Sequence, residues 1–289
     1  MANPKRSYAD NRAGEFFVDD TCIDCDLCRQ IAPPVFAESG DHSIVHHQPE
    51  TELETLRAGM ALVACPTGSI GTRSKINLTP VLSAFPEPIA DNVYFCGYAS
   101  PNSYGASSYL VCDTNTGNTL VDSPRFASQL IRRFEEMGGL QRLLLTHRDD
   151  VADHQKFHDR FGCRRVIHRA DAQGINADET LDGREPVALD EDWTAIPVPG
   201  HTKGSMVFLY RNRFLFTGDH LAWSVARNGL IAFRSVTWYS WREQTQSMKR
   251  LLDFQFEWVL PGHGHRTYQP AKLMRQKLED CIDWMEKTH

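Results

Sequence analysis

The sequence has no apolar run long enough to cross a bilayer, and residues 1–20 are polar apart from Phe16-Phe17-Val18. No membrane partner and no secretory leader are therefore expected, and a cytoplasmic location is. There is no stripe of Lys and Arg interleaved with aromatic residues, and the formal net charge is -6. Nucleic acid is not an expected partner. No segment repeats at a fixed period, so a solenoid or array is not expected. No cysteine stands beside a recognisable base motif. Cys96, Cys112, Cys163 and Cys281 are scattered among apolar neighbours and read as reduced core thiols, neither nucleophiles nor disulfide partners.

What the chain does have is four other cysteines in a pattern. Cys22-Ile23-Asp24-Cys25-Asp26-Leu27-Cys28 spaces three thiols evenly, and Cys65-Pro66 supplies a fourth. A triplet wraps one corner of a cubane, its backbone N–H groups face the sulfurs, and the proline after the last cysteine restricts the exit of the chain. Structural zinc is the competing reading, but a triplet plus Cys-Pro does not divide into two knuckles. With no second triplet, Cys65 closes the same cluster. Residues 14 to 76 resemble a single-cluster bacterial-type ferredoxin, which implies a [4Fe-4S] cluster on Cys22, Cys25, Cys28 and Cys65. Residues 1–78 carry 11 Asp or Glu against 7 Lys or Arg. Such an acidic face suits a basic redox partner, or it is simply a soluble surface. Whether the cluster carries electrons or staples a small domain is left open.

Further along, four apolar runs each end in a His or Asp. Leu143-Leu144-Leu145 leads to Thr146-His147-Arg148-Asp149-Asp150-Val151-Ala152-Asp153-His154, and Ala195-Ile196-Pro197-Val198 leads to Gly200-His201-Thr202-Lys203-Gly204. Phe214-Leu215-Phe216 leads to Thr217-Gly218-Asp219, and Trp258-Val259-Leu260 leads to Pro261-Gly262-His263-Gly264. Strands delivering imidazole and carboxylate to one sheet edge make a site for zinc or iron. The order of these segments resembles the metallo-β-lactamase superfamily, over roughly residues 91 to 270. The resemblance implies an αββα sandwich and two divalent metals, zinc or iron. It assigns His147 and His201 to the first metal, with Asp149 as the uncertain ligand there. It assigns Asp153, His154 and His263 to the second, with Asp219 bridging. The first segment departs from the usual His-x-His-x-Asp-His, because Asp149 replaces the second His and Asp153-His154 arrives two residues late. Asp150 is the alternative to Asp149 and is otherwise a solvated loop acid. Flavodiiron proteins, which share the fold, carry a carboxylate at the position of Asp149 and hold two irons, and an oxygen-rich set also favours manganese or iron over zinc.

The expected class is α+β, with a ferredoxin-type domain at 1–78, a linker at 79–90 containing three prolines, and a metallo-β-lactamase-fold domain at 91–289. Val93–Cys96, Ser108–Cys112 and Thr119–Asp122 read as strands. Phe126 to Met137 reads as a helix, Ser240-Trp241-Arg242-Glu243 as a capping box opening another, and Leu273 to Trp284 as the last. His168 is expected to pack near the site. Lys203 is read first as a salt-bridge partner and second as a contact for a substrate carboxylate. Segment Ala222 to Trp238, with Trp223, Arg227, Phe233 and Arg234, is expected to line the pocket for an anionic, partly apolar small molecule. The leading function is metal-dependent hydrolysis, with Asp153 and Asp219 as catalytic carboxylates acting on a water between two metals. Alternatives are a di-iron oxidoreductase fed by the cluster and a non-catalytic electron carrier or sensor.

Overall fold

The computed structural model describes residues 2–288, so positions 1 and 289, the outer bounds of the two expected domains, lie outside the described residues. Two compact units are present, Met1–Asn118 with Pro124–Leu140, and Thr119–Ser123 with Gln141–His289. Among the described residues no helix is long and apolar enough to cross a membrane.

The first unit opens with β1 (Phe16–Val18), α1 (Leu27–Ile31), the hairpin β2 (Phe36–Ser39) and β3 (His42–Val45), α2 (Glu52–Ala64) and β4 (Ile70–Thr72). β4 returns antiparallel to β1. Helix α2 starts in a complete capping box, the Thr51 hydroxyl accepting from the Glu54 N–H while the Glu54 carboxylate accepts from the Thr51 N–H. It ends at Cys65, so the helix itself places the fourth thiol. The unit continues through α3 (Thr79–Ser83), the antiparallel β5 (Glu87–Ala90), β6 (Val93–Phe95) and β7 (Tyr109–Val111), and α4 (Ser128–Glu136). Residues 79–90, expected to be a linker, thus carry a helix and a strand. Their prolines suit those places: Pro80 lies in the first turn of α3, where a missing N–H is tolerated, and Pro88 lies on an edge strand. Arg57 of α2 binds both sides of this junction, donating to the Ile31 carbonyl at 2.7 Å and pairing with the Glu87 carboxylate.

The second unit holds two sheets. β8 (Thr119–Val121), β9 (Arg142–Leu144), β10 (Arg164–His168) and β11 (Glu179–Leu181) run parallel, with α5 (His154–Phe161) crossing between β9 and β10. β12 (Val187–Ala188), β13 (Trp193–Pro197), β14 (Met206–Tyr210) and β15 (Phe214–Gly218) run antiparallel in sequence, followed by the hairpin β16 (Ala222–Ser224) and β17 (Gly229–Ile231), α6 (Trp241–Arg250), β18 (Trp258–Pro261), β19 (Thr267–Tyr268) and α7 (Ala271–Lys287). β18 joins β15 in parallel and β19 closes that edge. Every residue of β14 and β15 is buried, which means both faces of this sheet are covered. On one face Ile196, Val207, Leu215 and Val259 pack with Met248 of α6 and Leu278 and Ile282 of α7. On the other, Trp193 meets Phe216 and receives the Arg142 guanidinium of the parallel sheet at 5.4 Å from its ring centre. Parallel β9 and β10, and parallel β15 and β18, therefore all end on the same kind of edge, where a loop follows each strand.

Candidate metal centre and iron-sulfur site

His147 follows β9, His201 follows β13, Asp219 follows β15 and His263 follows β18. These loops bring donor atoms together in two groups, His147 with His201 and Asp219, and Asp150 with Asp219 and His263. His147 Nε2 lies 3.8 Å and His201 Nε2 3.7 Å from Asp219 Oδ2, and His263 Nε2 lies 3.9 Å from the same oxygen. Asp149 Oδ2 stands 3.3 Å from His201 Nε2 and 4.0 Å from His147 Nε2. Four donors at ~2.1 Å from one ion lie roughly 3.4 Å from each other, so the spacing suits a cation. The donors are also starved of partners. His147 Nε2, His201 Nε2, Asp150 Oδ2 and Asp219 Oδ1 are buried without a hydrogen bond. Such atoms are rare unless an ion or water serves them. Gly262 leaves room for the carboxylates, since a Cβ there would sit 2.6 Å from Asp150 Oδ2 and 2.9 Å from Asp219 Oδ1.

Electrostatics follow from burial. Desolvation lowers His147 to about 4, leaving a neutral imidazole able to ligate. Its Nδ1 lies 3.0 Å from Thr146 Oγ1, whose hydroxyl reaches the buried Asp122 carboxylate at 2.9 Å. With the Thr146 hydroxyl donating to Asp122, its oxygen accepts from His147 Nδ1–H and the Nε2 lone pair faces the other donors. Burial raises Asp122 to about 8, and burial followed by the charges of Asp219 and Asp122 pushes Asp150 well above the carboxylate range. The His201 imidazole instead holds Asp149, with its side chain 44% exposed, below that range. Asp171 clamps the two ligand loops together, its carboxylate accepting from the Arg148 N–H at 3.2 Å, the Gly204 N–H at 2.8 Å and the Thr202 hydroxyl.

His147, Asp149, His201, Asp219 and His263 are brought together. Asp153 and His154 are not in either group. Asp153 sits at the head of α5 and pairs with Lys156 at 2.7 Å, while His154 is the first residue of that helix and lies near Arg165. The two-residue delay carries the pair past the loop and into the helix. Asp150, expected to be a solvated acid, is buried beside Asp219 and His263 instead. His168 caps the turn after β10, its Nδ1 accepting from the Ala170 N–H and its Nε2 donating to the Gly183 carbonyl. Lys203 forms no ion pair among the described residues and lines a cleft of about 290 Å³ with His168, Arg169 and Arg184. Within Ala222–Trp238 the arginines turn away from the donors, Arg227 lying 4.2 Å from the Trp284 ring centre and Arg234 lying over Trp241 and bonding the Thr288 carbonyl. Trp238 alone among the named residues of that segment faces a donor ring, at 6.2 Å between its centroid and that of His201. Ser240 caps α6 as expected by accepting from the Glu243 N–H, but the Glu243 carboxylate pairs with Arg184.

In the first unit Cys22, Cys25, Cys28 and Cys65 line one pocket with Leu27, Pro66 and Ile70. The Ser43 N–H points to Cys22 Sγ at 3.5 Å and the Ser69 N–H to Cys65 Sγ at 3.3 Å. Burial pushes Cys25 up to about 12 and Cys28 higher still, so clustered thiolates here require a compensating cation such as the iron of a cluster. Asp24 and Asp26 adopt left-handed backbone conformations, held by the Arg29 guanidinium at 2.8 Å and 2.5 Å. Gly105, far along the chain and also left-handed, closes over the triplet. A Cβ on it would fall 2.8 Å from Cys25 Cβ. Gly105 carries no signal in the sequence that would mark it as part of this site.

Four cysteines around one pocket and His/Asp donors at the strand ends of a two-sheet domain define an iron-sulfur module joined to a metallo-β-lactamase fold. Residues 18–72 match the family described as the 4Fe-4S single cluster domain of Ferredoxin I. The metallo-β-lactamase DIM-1 exposed to ceftazidime superimposes with a TM-score of 0.56 at 19% identity, covering 70% of this chain and 96% of that one. VMB-1 gives 0.54 at 16% identity over the same shares. At such identities the likeness is one of fold. In sequence the chain is 29% identical to the uncharacterized protein YobT of Bacillus subtilis over 62% of its own length and 91% of that protein. It is 34% identical over 120 residues, 39% of this chain, to a hydroxyacylglutathione hydrolase of Cereibacter sphaeroides. The match spans 47% of the length of that relative.

Proposed function

We propose that the protein is a metal-dependent hydrolase of an acyl ester or thioester, with a [4Fe-4S] ferredoxin domain attached. The observation that carries this reading is the convergence of buried, unpartnered His147, His201, Asp150 and Asp219 donors at the strand ends. His147, His201, Asp149 and Asp219 would hold one divalent metal, and Asp150, Asp219 and His263 the other, with Asp219 shared. When bound, such a pair supplies Lewis acidity toward water and toward a carbonyl oxygen. The chain's own residues do the rest. Thr146 and Asp122 keep the His147 ring turned inward, and Asp171 keeps the His147 and His201 loops at a set distance. Burial and the neighbouring carboxylates raise the Asp150 carboxyl, so a cation there competes with a proton and metal uptake is proton-linked. Asp149 stays ionised at the exposed edge and would accept a hydrogen bond from the attacking water, in place of Asp153. Hydroxyacylglutathione, the substrate in the name of two relatives, is the first compound to test.

A second reading is a di-iron oxidoreductase fed by the cluster, with a basic redox partner docking on the acidic ferredoxin domain. The donor set favours it, because two imidazoles and two carboxylates around the first position form an oxygen-rich site of the kind iron occupies. Elemental analysis of protein purified without oxygen separates the readings. About four irons with two zincs per chain supports hydrolysis, whereas about six irons with turnover that requires reductant supports redox chemistry. Hydrolysis that survives Cys22→Ser assigns the cluster a structural or regulatory part.

A further inference from the structure

Two aromatic residues of the segment Phe233–Tyr239 lie beside the donor loops, one at each end. Trp238 lies beside His201, yet the residue is 61% exposed, and Tyr239 after it is 43% exposed. At the other end of the segment Phe233 approaches Gly264, next to His263. A Cβ on Gly264 would stand 3.0 Å from the Phe233 ring. An exposed indole is unremarkable on a loop that swings, but this one is pinned from behind. The Trp238 and Tyr239 N–H groups both donate to the His201 carbonyl, at 2.9 and 3.0 Å, and the Ser240 N–H donates to the Gly200 carbonyl at 3.0 Å. The Thr237 hydroxyl lies 2.8 Å from Gln244 Oε1, and Gln244 donates in turn to the His220 carbonyl at 3.0 Å. The Trp238 ring is therefore held beside His201 by the same backbone that carries that donor.

We infer that Phe233 and Trp238 form an apolar subsite that takes the hydrocarbon part of a substrate whose carbonyl is directed at His147, His201 and Asp219. This rests on the hydrolase reading for its substrate class, but the subsite itself rests on ring placement. Arg227, just before this segment, and Arg234, within it, are engaged by Trp284, Trp241 and the Thr288 carbonyl. Trp238 is the specificity-determining residue of the subsite. Contact on one side of an alkyl chain gives about half of full burial, roughly twofold per methylene, so four methylenes give on the order of tenfold.

The test uses metal-loaded, full-length protein and two probes with the same chelating head, acetohydroxamate and hexanohydroxamate, titrated calorimetrically. Wild type is expected to bind the longer probe on the order of tenfold more tightly. Trp238→Ala is expected to bring the two affinities together, and Trp238→Phe to restore most of the difference, with metal content unchanged in both. The same ratio is expected in kcat/KM for 4-nitrophenyl hexanoate over acetate. Equal affinities in wild type, an unaltered ratio in Trp238→Ala, or no binding of either probe overturns the subsite. So does a fall in sedimentation mass on Trp238→Ala, which would assign the indole to contact with a second copy. A retained hydroxamate preference without any ester hydrolysis leaves the subsite standing and removes the hydrolase reading.

Discussion

Replacing Asp150 by Asn tests where the second cation is held. Asp150 is 1% exposed, shares a donor group with Asp219 and His263, and has an unpartnered Oδ2. Burial, and after it the charges of Asp219 and Asp122, raise its carboxyl and favour the neutral form in the metal-free protein, so an amide of the same shape perturbs that state little. Metal-free stability is expected to stay within about 1 kcal/mol of wild type. Metal binding is where the variant fails, because an amide cannot release a proton and offer a negative oxygen. A hundredfold loss of affinity for the second metal removes about 2.7 kcal/mol of ligand-linked stability. At roughly 2–4 °C per kcal/mol for a domain of this size, the metal-induced rise in Tm shrinks by roughly 5–11 °C. The assay is thermal unfolding with and without zinc or iron, beside metal content by elemental analysis. Asp153→Asn is the control, since its carboxylate pairs with Lys156 and it is expected to retain both metals. A full metal complement and full Tm rise in Asp150→Asn, with loss in Asp153→Asn, would refute the assignment and return the site to the usual superfamily pattern.

Other substitutions probe the remaining links. Gly105→Ala places a Cβ against Cys25, so iron content is expected to fall by about four per chain while zinc or iron at the His/Asp donors is kept. Arg29→Met leaves Asp24 and Asp26 in left-handed conformations without their clamp, and faster loss of cluster absorbance in air is expected. Thr146→Val removes the hydroxyl between Asp122 and His147. Metal affinity is expected to drop roughly 10–100-fold by competition with a chromophoric chelator, with the fold preserved by circular dichroism. Asp178 is held at about 2 by the Arg165 guanidinium 2.8 Å away, below its ordinary 3.8. Below its unfolded pKa the unfolded chain binds the proton first, so the stability from this pair is complete above about pH 4 and disappears as pH falls toward 2. Asp178→Asn is expected to lower stability at pH 7 and to flatten its decline across that window, measured by urea unfolding at several pH values.

The four cysteines that meet at one pocket were legible because their signal is local. Seven consecutive residues hold three thiols at fixed spacing, and the fourth stands directly before proline at the end of a capped helix. The His and Asp donors were legible for a similar reason, since each follows an apolar run, and a strand can present its next side chain only at the sheet edge. Helices α4, α6 and α7 lie where apolar spacing and a serine cap place them, shorter or longer by a residue or a turn.

What the tertiary structure decided depends on contacts that no local pattern contains. Asp149, Asp150 and Asp153 are the same residue type within five positions. Only the point where the loop after β9 turns into α5 sends Asp150 inward and Asp153 to Lys156. Arg227 and Arg234 read as pocket cations until α6 and the C-terminal helix, more than fifty residues from Arg227 at Trp284, supply the rings and the carbonyl that occupy them. Gly105 belongs to the cluster site only because the chain returns to Cys25 after eighty residues. Spacing along the chain determines which atoms are available as donors. Which of them meet is set by where each strand ends and what packs behind the next loop, and that information is spread over the whole fold.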